Sequence, residues 1–445
     1  MERTGPEHQS LLNPKSSVLS IMIVAGEASG DKHGASLARA LAQLHPEIKF
    51  QLFGSGGEEM RAAGVETLVD AREVGIIGVL EIAHAIGKLY RAYRTLLRAA
   101  RSRRPSAVVL IDWPDFNMRL ARKLHREGFK IIYYISPQVW AWRRYRIRAL
   151  QRNVDRMLVI LPFEEEFYKR AGLEVRYVGH PLSEAVSTTA SREEFCRRHG
   201  LDPAHPIIAL LPGSRHKEIH FHLPAMLDAA IRLQSFRFGN RDSGSGIQMR
   251  PIVHEASNQK SRISNLEFQI SNPQFVVPLA STVRREDVEA PFREARQAAR
   301  VGASDEADQL CVTVVEGDTY NALGYSEFAV VASGTATVEA ALVGTPMVII
   351  YRGSELNWRL IRPLIHLDTF GMVNLIAGRR IVPELMQHEA TGEKIAREAT
   401  AILSDPSLLS RMQQDLERVR ELLAAEGGSA AERAAQAVIE VAREP

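Results

Sequence analysis

Cysteine is scarce in this 445-residue chain: Cys196 and Cys311 are the only two, and they form no Cys-x-x-Cys pair. Two cysteines cannot build the disulfide framework of a small secreted protein. No stretch reaches the roughly 18 consecutive apolar residues that a membrane-spanning helix needs, and the N-terminus lacks the apolar segment of a signal peptide. We therefore expect a protein of a reducing compartment that is soluble or lies on a membrane without crossing it.

Several common catalytic motifs are also missing. The chain has no G-x-x-x-x-G-K-[ST] phosphate loop, and its first glycine-containing turn, Gly26-Glu27-Ala28-Ser29-Gly30-Asp31, does not fit the G-x-G-x-x-G dinucleotide motif. No group of His, Cys and Asp has metal-ligand spacing, and we expect the neighbouring His216, His220 and His222 to be solvated. Nucleotide hydrolysis and nicotinamide chemistry are therefore disfavoured, and we expect neither a cofactor nor a metal.

The residues that are present predict an α/β protein with two Rossmann-like, doubly wound domains. Short apolar runs alternate with helical patterns, as in parallel sheets covered on both faces. We expect the strands at residues 20–25, 50–53, 107–111, 130–135, 156–161, 206–211, 275–278, 312–315, 328–332 and 346–351.

The same rhythm predicts the domain boundaries. We expect a disordered extension over residues 1–19, a first domain over 20–185 and a second over 186–425, with a last helix within 426–445. Residues 239–272, rich in Gly, Ser, Asn and Gln, predict a mobile insertion in the second domain. Ligands of such sheets bind at the carboxyl ends of the strands, so the cleft between the domains is the expected site.

Three segments at predicted strand ends have side chains suited to chemistry. Ser333-Gly334-Thr335-Ala336-Thr337 opens a helix whose free N–H groups suit a phosphate, and Glu339 could accept hydrogen bonds from a ribose. Gly213, Ser214 and Arg215 follow another strand, and the arginine guanidinium suits a diphosphate.

The third segment offers a general base. Asp112 and Asp115 flank Trp113-Pro114 on a turn, and either carboxylate could take a proton from a sugar hydroxyl. The residues themselves leave open which of the two does so. Capped helices and turns without a ligand would show the same residues in each of the three segments.

Positive charge is concentrated in one part of the chain. Residues 86–152 contain seventeen Lys or Arg and three acidic residues, although the net charge of the whole chain is only +3. Residues 74–97 combine apolar side chains with basic ones, which is typical of a helix at a membrane interface and equally of a core helix. If the helix lies at a membrane, its contacting residues would be Ile76, Ile77, Val79, Leu80, Ile82, Lys88, Arg91 and Arg94.

Taken together, these motifs resemble the lipid-A-disaccharide synthase family. The resemblance rests on GEASGD at 26–31, IDWPDFN at 111–117, YISPQVWAW at 134–142, LPFE at 161–164, VGHPL at 178–182, LLPGSR at 210–215, ASGTATVE at 332–339 and NLIAGR at 374–379. The motifs occur in the family's order and span about residues 20–440.

The resemblance implies the glycosyltransferase B-type fold, with a C-terminal helix that crosses back to the first domain. It implies transfer of 2,3-diacylglucosamine from UDP to 2,3-diacylglucosamine 1-phosphate (lipid X), with inversion and without a metal, to form the β-1,6-linked lipid A disaccharide of lipopolysaccharide. By resemblance, Asp112 is the base, and Arg215 with the Ser333–Thr335 turn holds the diphosphate. Glu339 would bind the ribose, and Glu27, Ser29 and Asn374 would line the cleft.

The same resemblance implies a cytoplasmic enzyme peripherally bound to the inner membrane, and no nucleic-acid partner; it leaves a homodimer open. Lys32 and His33 depart from the family pattern, because apolar residues are expected there. The alternatives are another UDP-sugar enzyme, such as a UDP-N-acetylglucosamine 2-epimerase or the peptidoglycan-precursor N-acetylglucosaminyltransferase, and a non-catalytic basic adaptor. An adaptor would not need Asp112, Arg215 and Glu339 at strand ends.

Overall fold

The computed structural model describes residues 18–71, 82–141, 144–235, 272–280, 282–301, 310–355, 358–359, 362, 368–424 and 427–444. These residues form two compact units, one comprising Met1–Pro181 with Ala425–Pro445 and the other Leu182–Ala424. Each unit is built around a parallel sheet.

In its described residues, the first unit contains seven strands, and one of its helices comes from the C-terminal part of the chain. Its strands are β1 (Val18–Val24), β2 (Lys49–Gly56), β3 (Glu66–Asp70), β4 (Ala107–Ile111), β5 (Ile131–Tyr134), β6 (Arg156–Val159) and β7 (Val175–Tyr177). Its helices are α1 (Ala28–Leu44), α2 (Glu58–Ala62), α3 (Ile82–Arg103), α4 (Pro114–His125), α5 (Ile147–Asn153), α6 (Pro162–Arg170) and, after the second unit, α16 (Ala430–Arg443).

The first sheet has the order β3-β2-β1-β4-β5-β6-β7. Its central strands are apolar on both faces because helices cover both. Met22, Val108 and Leu110 pack with α3 and α4 on one face, where Leu96 and Leu120 are fully buried. On the other face, Ile23 and Val109 pack with α1 and α16. Continuous apolar runs such as AVVLI are the expected composition of strands buried in this way.

The part of the second unit that the structure describes contains six strands. They are β8 (Ile207–Leu211), β9 (Gln274–Leu279), β10 (Val312–Glu316), β11 (Phe328–Ala332), β12 (Met347–Tyr351) and β13 (Glu384–Met386), and the sheet order is β10-β9-β8-β11-β12-β13. The helices are α7 (Leu182–Ala185), α8 (Arg192–His199), α9 (His216–Ser235), α10 (Arg285–Val301), α11 (Thr319–Gly324), α12 (Ala336–Leu342), α13 (Met372–Ala377), α14 (Gly392–Ser404) and α15 (Pro406–Leu423).

The C-terminal helix belongs to the first unit. The hydroxyl of Ser429 accepts from the N–H of Glu432 while the Glu432 carboxylate accepts from the N–H of Ser429, so a capping box begins α16. Ala434, Ala435 and Val438 are fully buried against the face that α1 also covers. The predicted return of the last helix to the first domain is therefore confirmed.

The sequence-based elements agree with the structure best in the sheet centres: β4 and β11 have the predicted bounds. The strands β3, β7 and β13 were not predicted. β1 begins at Val18, inside the segment expected to be an extension, and the rest of that segment lies outside the described residues, as does the predicted insertion up to residue 271. Among the described helices, none combines the length and apolarity needed to cross a bilayer.

Candidate active site

Both sheets reverse their strand order at one point, and the predicted chemical motifs follow the strands there. In the first unit the reversal lies between β1 and β4, where Val24 pairs with Leu110. The GEASGD turn and Asp112 therefore leave neighbouring strands at the same edge of the sheet. Such a switch point is the usual ligand site of an open α/β sheet.

Asp112 has a strained backbone that its neighbours hold in place. Its φ angle is +45°, in the left-handed region that non-glycine residues seldom adopt. The Asp112 N–H donates to the carbonyl of Tyr134 (3.1 Å), and the Asp112 carbonyl accepts from the Tyr133 hydroxyl (2.7 Å) and from Asn117 Nδ2 (2.8 Å). Strain that persists because surrounding contacts enforce it is typical of functional positions.

The surroundings of Asp112 also change its acidity. Burial, together with the nearby negative charge of Glu27, raises the pKa of Asp112 to about 6, although a hydrogen bond from the Trp113 N–H acts in the opposite direction. A carboxylate with this pKa is ionised at neutral pH and is more basic than an ordinary aspartate. It is thus suited to take a proton from a hydroxyl.

Asp115 is in a different position. Its carboxylate is exposed at the start of α4 and forms an ion pair with Arg146 Nη2 at 2.5 Å. An exposed carboxylate that is already paired is a weaker candidate for the base than a buried one. The structure thus separates two residues that the sequence left equivalent.

The GEASGD turn contains exposed side chains and a buried one that stabilises the fold. Glu27 and Ser29 are exposed at the start of α1. Asp31 is buried, and its carboxylate accepts from the N–H groups of Gly57 (2.6 Å), Glu59 and Met60 (both 3.1 Å), which caps α2. Gly26 allows close approach of Trp113, since a Cβ there would lie 2.1 Å from the Trp113 ring.

The second unit has its switch point between β8 and β11, where Leu211 pairs with Val331. Gly213 has φ +121°, and the side chain of Glu218 folds back beneath it. The Glu218 carboxylate accepts from the Ser214 N–H (2.9 Å) and pairs with Arg215 Nη1 (2.8 Å). The Arg215 side chain is 79% exposed, so its remaining N–H groups are accessible.

The turn after β11 contains both exposed residues and a buried one. Gly334 and Thr335 are exposed, and Gly334 has φ +152° with open space where a Cβ would be. Thr337 is fully buried and its hydroxyl donates to the Gly334 carbonyl (2.8 Å). Burial raises the pKa of the half-buried Glu339 above its usual value. Thr337, which we expected to bind substrate, is thus buried and stabilises the turn through this hydrogen bond.

Asn374 differs most from the expectation. We expected it to line the cleft, but it is fully buried and all its hydrogen-bonding capacity is used inside the unit. Asn374 Nδ2 donates to Val382 O (3.0 Å) and Glu384 Oε1 (2.7 Å), and Oδ1 accepts from the N–H groups of Ile381 (2.8 Å) and Val382 (3.0 Å). Glu384 also accepts from the N–H groups of Phe370 and Gly371.

A pocket of about 810 Å³ lies beside this second switch point. It is lined by His216, Lys217, Glu218, His220, Phe221, His222, Ser333, Tyr351, Arg352, Gly353, Ser354, Trp358, Phe370 and Met386. Ser333 also donates its hydroxyl to the Phe370 carbonyl at 3.3 Å. In the described part of the chain, no cluster of three His, Cys, Asp or Glu side chains could hold a metal ion.

Comparison with known proteins assigns the family. The model of the lipid-A-disaccharide synthetase family matches residues 21–240 and 250–439. The lipid-A-disaccharide synthase of Koribacter versatilis is 41% identical over 428 residues, which cover 96% of this chain and 99% of the relative. That of Geobacter metallireducens is 41% identical over 421 residues, covering 95% and 97%.

The chain belongs to the lipid-A-disaccharide synthase family. It is therefore an enzyme, a glycosyltransferase that makes the lipid A disaccharide. The family resemblance inferred from the motifs is confirmed.

Solved structures agree on the fold of this synthase. A UDP-N-acetylglucosamine 2-epimerase from Listeria monocytogenes aligns with a TM-score of 0.56 and 14% identity, covering 95% of both chains. A sucrose-phosphate synthase from Thermosynechococcus elongatus aligns with a TM-score of 0.53 and 14% identity, covering 95% of this chain and 99% of that one. The predicted glycosyltransferase B-type fold with two Rossmann-like domains is confirmed.

The predicted membrane segment of the synthase is described only in part. Ile76, Ile77, Val79 and Leu80 lie outside the described residues, and Ile82 is described only as the first backbone position of α3. Lys88, Arg91 and Arg94 are exposed at successive i, i+3 positions of that helix. Leu89 and Tyr93 of the same helix are partly buried and pack against the core of the first unit.

Two functional supports in the synthase were not predicted. Glu164, in the LPFE motif, is buried and accepts from Ser136 Oγ (2.5 Å) and Trp140 Nε1 (2.9 Å), which fixes the SPQVWAW loop; burial raises its pKa to about 7. His222 was expected to be solvated, but it is only 2% exposed. In both cases the polar residue lies three or four positions along the chain from buried apolar residues. This spacing could have predicted that the polar residue is buried too.

Proposed function

We propose that the chain transfers 2,3-diacylglucosamine from UDP to the 6-hydroxyl of lipid X, with inversion at the anomeric carbon and with Asp112 as general base. The observation that supports this most directly is Asp112 itself: a half-buried carboxylate on a strained backbone at the β1/β4 switch point, with a pKa of about 6. Family membership supports the overall reaction. The residue roles and the stereochemistry are the proposal.

The proposed chemistry is a single displacement. Asp112 accepts the proton of the acceptor 6-hydroxyl as that oxygen forms a bond to the anomeric carbon of the donor. The bond between that carbon and the β-phosphate oxygen breaks, and UDP leaves with the electron pair. Groups that stabilise the departing charge without moving contribute much of the rate in such reactions.

The donor side of the proposal uses the second unit. Arg215 would bind the diphosphate with its exposed N–H groups. The turn at Ser333–Thr335 would provide further donors through the N–H groups of Gly334 and Thr335, because the Ser333 N–H donates to the Ile350 carbonyl. Glu339 would accept from the ribose hydroxyls. The Gly213–Ser214 turn would contact the phosphates, since Gly213, with φ +121°, lets the chain turn sharply there.

The remaining predicted residues have less direct roles in the proposal. Glu27 and Ser29 would face the acceptor beside Asp112. Asn374 and Thr337 would act as positioning residues, because their polar atoms bind the loop backbone. The exposed Lys88, Arg91 and Arg94 would attract anionic lipid phosphates, and Ile76, Ile77, Val79, Leu80 and Ile82 would insert beside them, at the cytoplasmic leaflet of the inner membrane.

The test is an assay of UDP release with both acylated sugars as substrates, combined with identification of the disaccharide linkage. We expect one UDP per disaccharide and a β-anomeric product. UDP release without disaccharide, or an α-linked product, would contradict the proposed reaction. Liposome flotation of the Lys88→Ser/Arg91→Ser/Arg94→Ser variant tests the membrane role separately, and unchanged flotation would contradict it.

A further inference from the structure

The pocket of the second unit has an unusual wall of exposed aromatic residues. Phe221 is 36% exposed and Tyr351 is 37% exposed, although large apolar side chains are normally buried in a unit of this size. The ring of Trp358 lies 5.9 Å from that of Tyr351 and 5.6 Å from that of Phe370, so the three rings form a continuous surface. Met386 completes the apolar wall.

Two polar side chains of this wall, His222 and Ser333, are already paired with backbone groups. His222 Nδ1 lies 2.8 Å from the Pro212 carbonyl, and Nε2 accepts from the Arg352 N–H at 2.9 Å. The Ser333 hydroxyl donates to the Phe370 carbonyl. Because a nucleobase requires free donors and acceptors for recognition, a pocket whose inner polar groups are used internally is better suited to hydrocarbon.

The rim of the same pocket contains exposed cations, and its one lining carboxylate, that of Glu218, is paired with Arg215. Lys217 and Arg352 are exposed at its edge, and Ser333 connects it to the turn at Gly334 and Thr335. The pocket volume of about 810 Å³ is within the usual range for small-molecule sites. A ligand that fills it should therefore combine an apolar chain with a nearby anionic group.

We propose that this pocket binds an acyl chain of the UDP-linked donor, with the diphosphate held at the adjacent basic rim. This inference rests on the proposed function, because it assumes that the donor is an acylated UDP-sugar. Each buried methylene then favours binding by roughly fourfold. His222 is a positioning residue of this site, since it joins the loops that follow β8 and β12.

The experiment measures binding of UDP, a UDP-glucosamine with two long acyl chains and one with two acetyl groups, each by competition in detergent solution. The variant is Phe221→Ser, and the matched control is Leu408→Ser, which also replaces an exposed apolar side chain on a helix of the second unit. We expect Phe221→Ser to reduce the preference for the long-chain donor over the acetyl donor by about tenfold. The control should keep the wild-type ratio.

A second variant fills the pocket instead of truncating its wall. Ser354→Phe adds a ring at the exposed edge, and we expect it to lower the same ratio without removing any wall residue. An unchanged ratio in both variants would overturn the acyl-chain site. An equal loss of affinity for UDP and for both donors would also overturn it, because the pocket would then hold the nucleotide.

Failure of the acyl-chain site can be distinguished from failure of the proposed function. Binding is measured without the acceptor, so a protein that prefers the long-chain donor but forms no disaccharide would contradict only the proposed reaction. A protein that forms the disaccharide with an unaltered chain-length preference in Phe221→Ser and Ser354→Phe would contradict only the acyl-chain site.

Discussion

The two switch points occupy the same place in their sheets, but the charged residues beside them differ in solvent exposure. In the first unit, Asp112 is largely buried on a strained backbone fixed by Tyr133, Tyr134 and Asn117. In the second, Arg215 is exposed on a glycine-containing turn and pairs only with Glu218 among the contacts described. One site is preorganised around a single carboxylate, and the other leaves its cation accessible to a ligand. This difference agrees with the roles proposed above, proton transfer at Asp112 and diphosphate binding at Arg215.

The sharpest test of this contrast replaces the two aspartates. Asp112→Asn keeps the shape but removes the base, and we expect kcat to fall by about 10³-fold. Asp115→Asn should change kcat by less than about threefold, because its carboxylate is exposed and paired with Arg146. The measurement is UDP release, with UDP binding and thermal unfolding as controls for folding. Comparable losses in both variants would remove the distinction between the two carboxylates.

On the donor side, Arg215→Ala should weaken UDP binding by about 30-fold, since a charge-assisted contact to the diphosphate is lost. Titration calorimetry with UDP measures this directly. Glu218→Gln is the matched variant: it removes the charge that pairs with Arg215 but keeps the arginine, so we expect a smaller effect. Unchanged UDP affinity in Arg215→Ala would place the diphosphate elsewhere.

The pH dependence of kcat/KM tests the raised pKa of Asp112, which has no counterpart at Arg215. Asp112 must be deprotonated to act as base, and its pKa is about 6, so kcat/KM should fall tenfold per unit as the pH decreases below 6. A rate profile from pH 4.5 to 8 measures it. In Glu27→Gln, which removes a nearby negative charge, the midpoint should move to lower pH. A midpoint near 4 in the wild type would show that the base is an ordinary exposed carboxylate.

The smallest expected effect concerns the stability of the first unit. Burial lowers the pKa of His33 and His180 to about 4. The unfolded chain therefore binds more protons between pH 6.5 and 4, and the free energy of unfolding decreases as the pH falls through this window. We expect a loss of about 1 kcal/mol per histidine between pH 7 and 5.5. Denaturant unfolding of His33→Gln should show a shallower pH dependence; an identical slope would contradict the assignment.

The sequence predicts the sheet centres well because burial leaves a strong pattern there. AVVLI and FAVVA are apolar throughout since helices cover both faces of β4 and β11. The strands β3, β7 and β13 escaped prediction because they are short edge strands that retain polar residues such as Glu66, Arg176 and Glu384. Their pairing depends on the neighbouring strand rather than on their own composition.

The site residues show a second limit of sequence reasoning. A loop asparagine or threonine has the same appearance whether it faces a ligand or the backbone, so Asn374 and Thr337 were predicted as substrate contacts although both bind backbone groups. His222 was misjudged because its helix begins among polar residues, and only the fold brings the loop after β12 to its ring. The position of Asp112 was predictable, but the burial and strain that distinguish it from Asp115 arise from distant residues.

The return of α16 to the first unit makes the second unit an insertion within the first. Synthesis on the ribosome proceeds from the N-terminus, so β1 through β7 and the whole second unit emerge before the residues that cover one face of the first sheet. Until then Ile23, Val109 and α1 lack the apolar cover that Ala434, Ala435 and Val438 provide. The first unit, although it begins first, can complete its core only when α16 has left the ribosome.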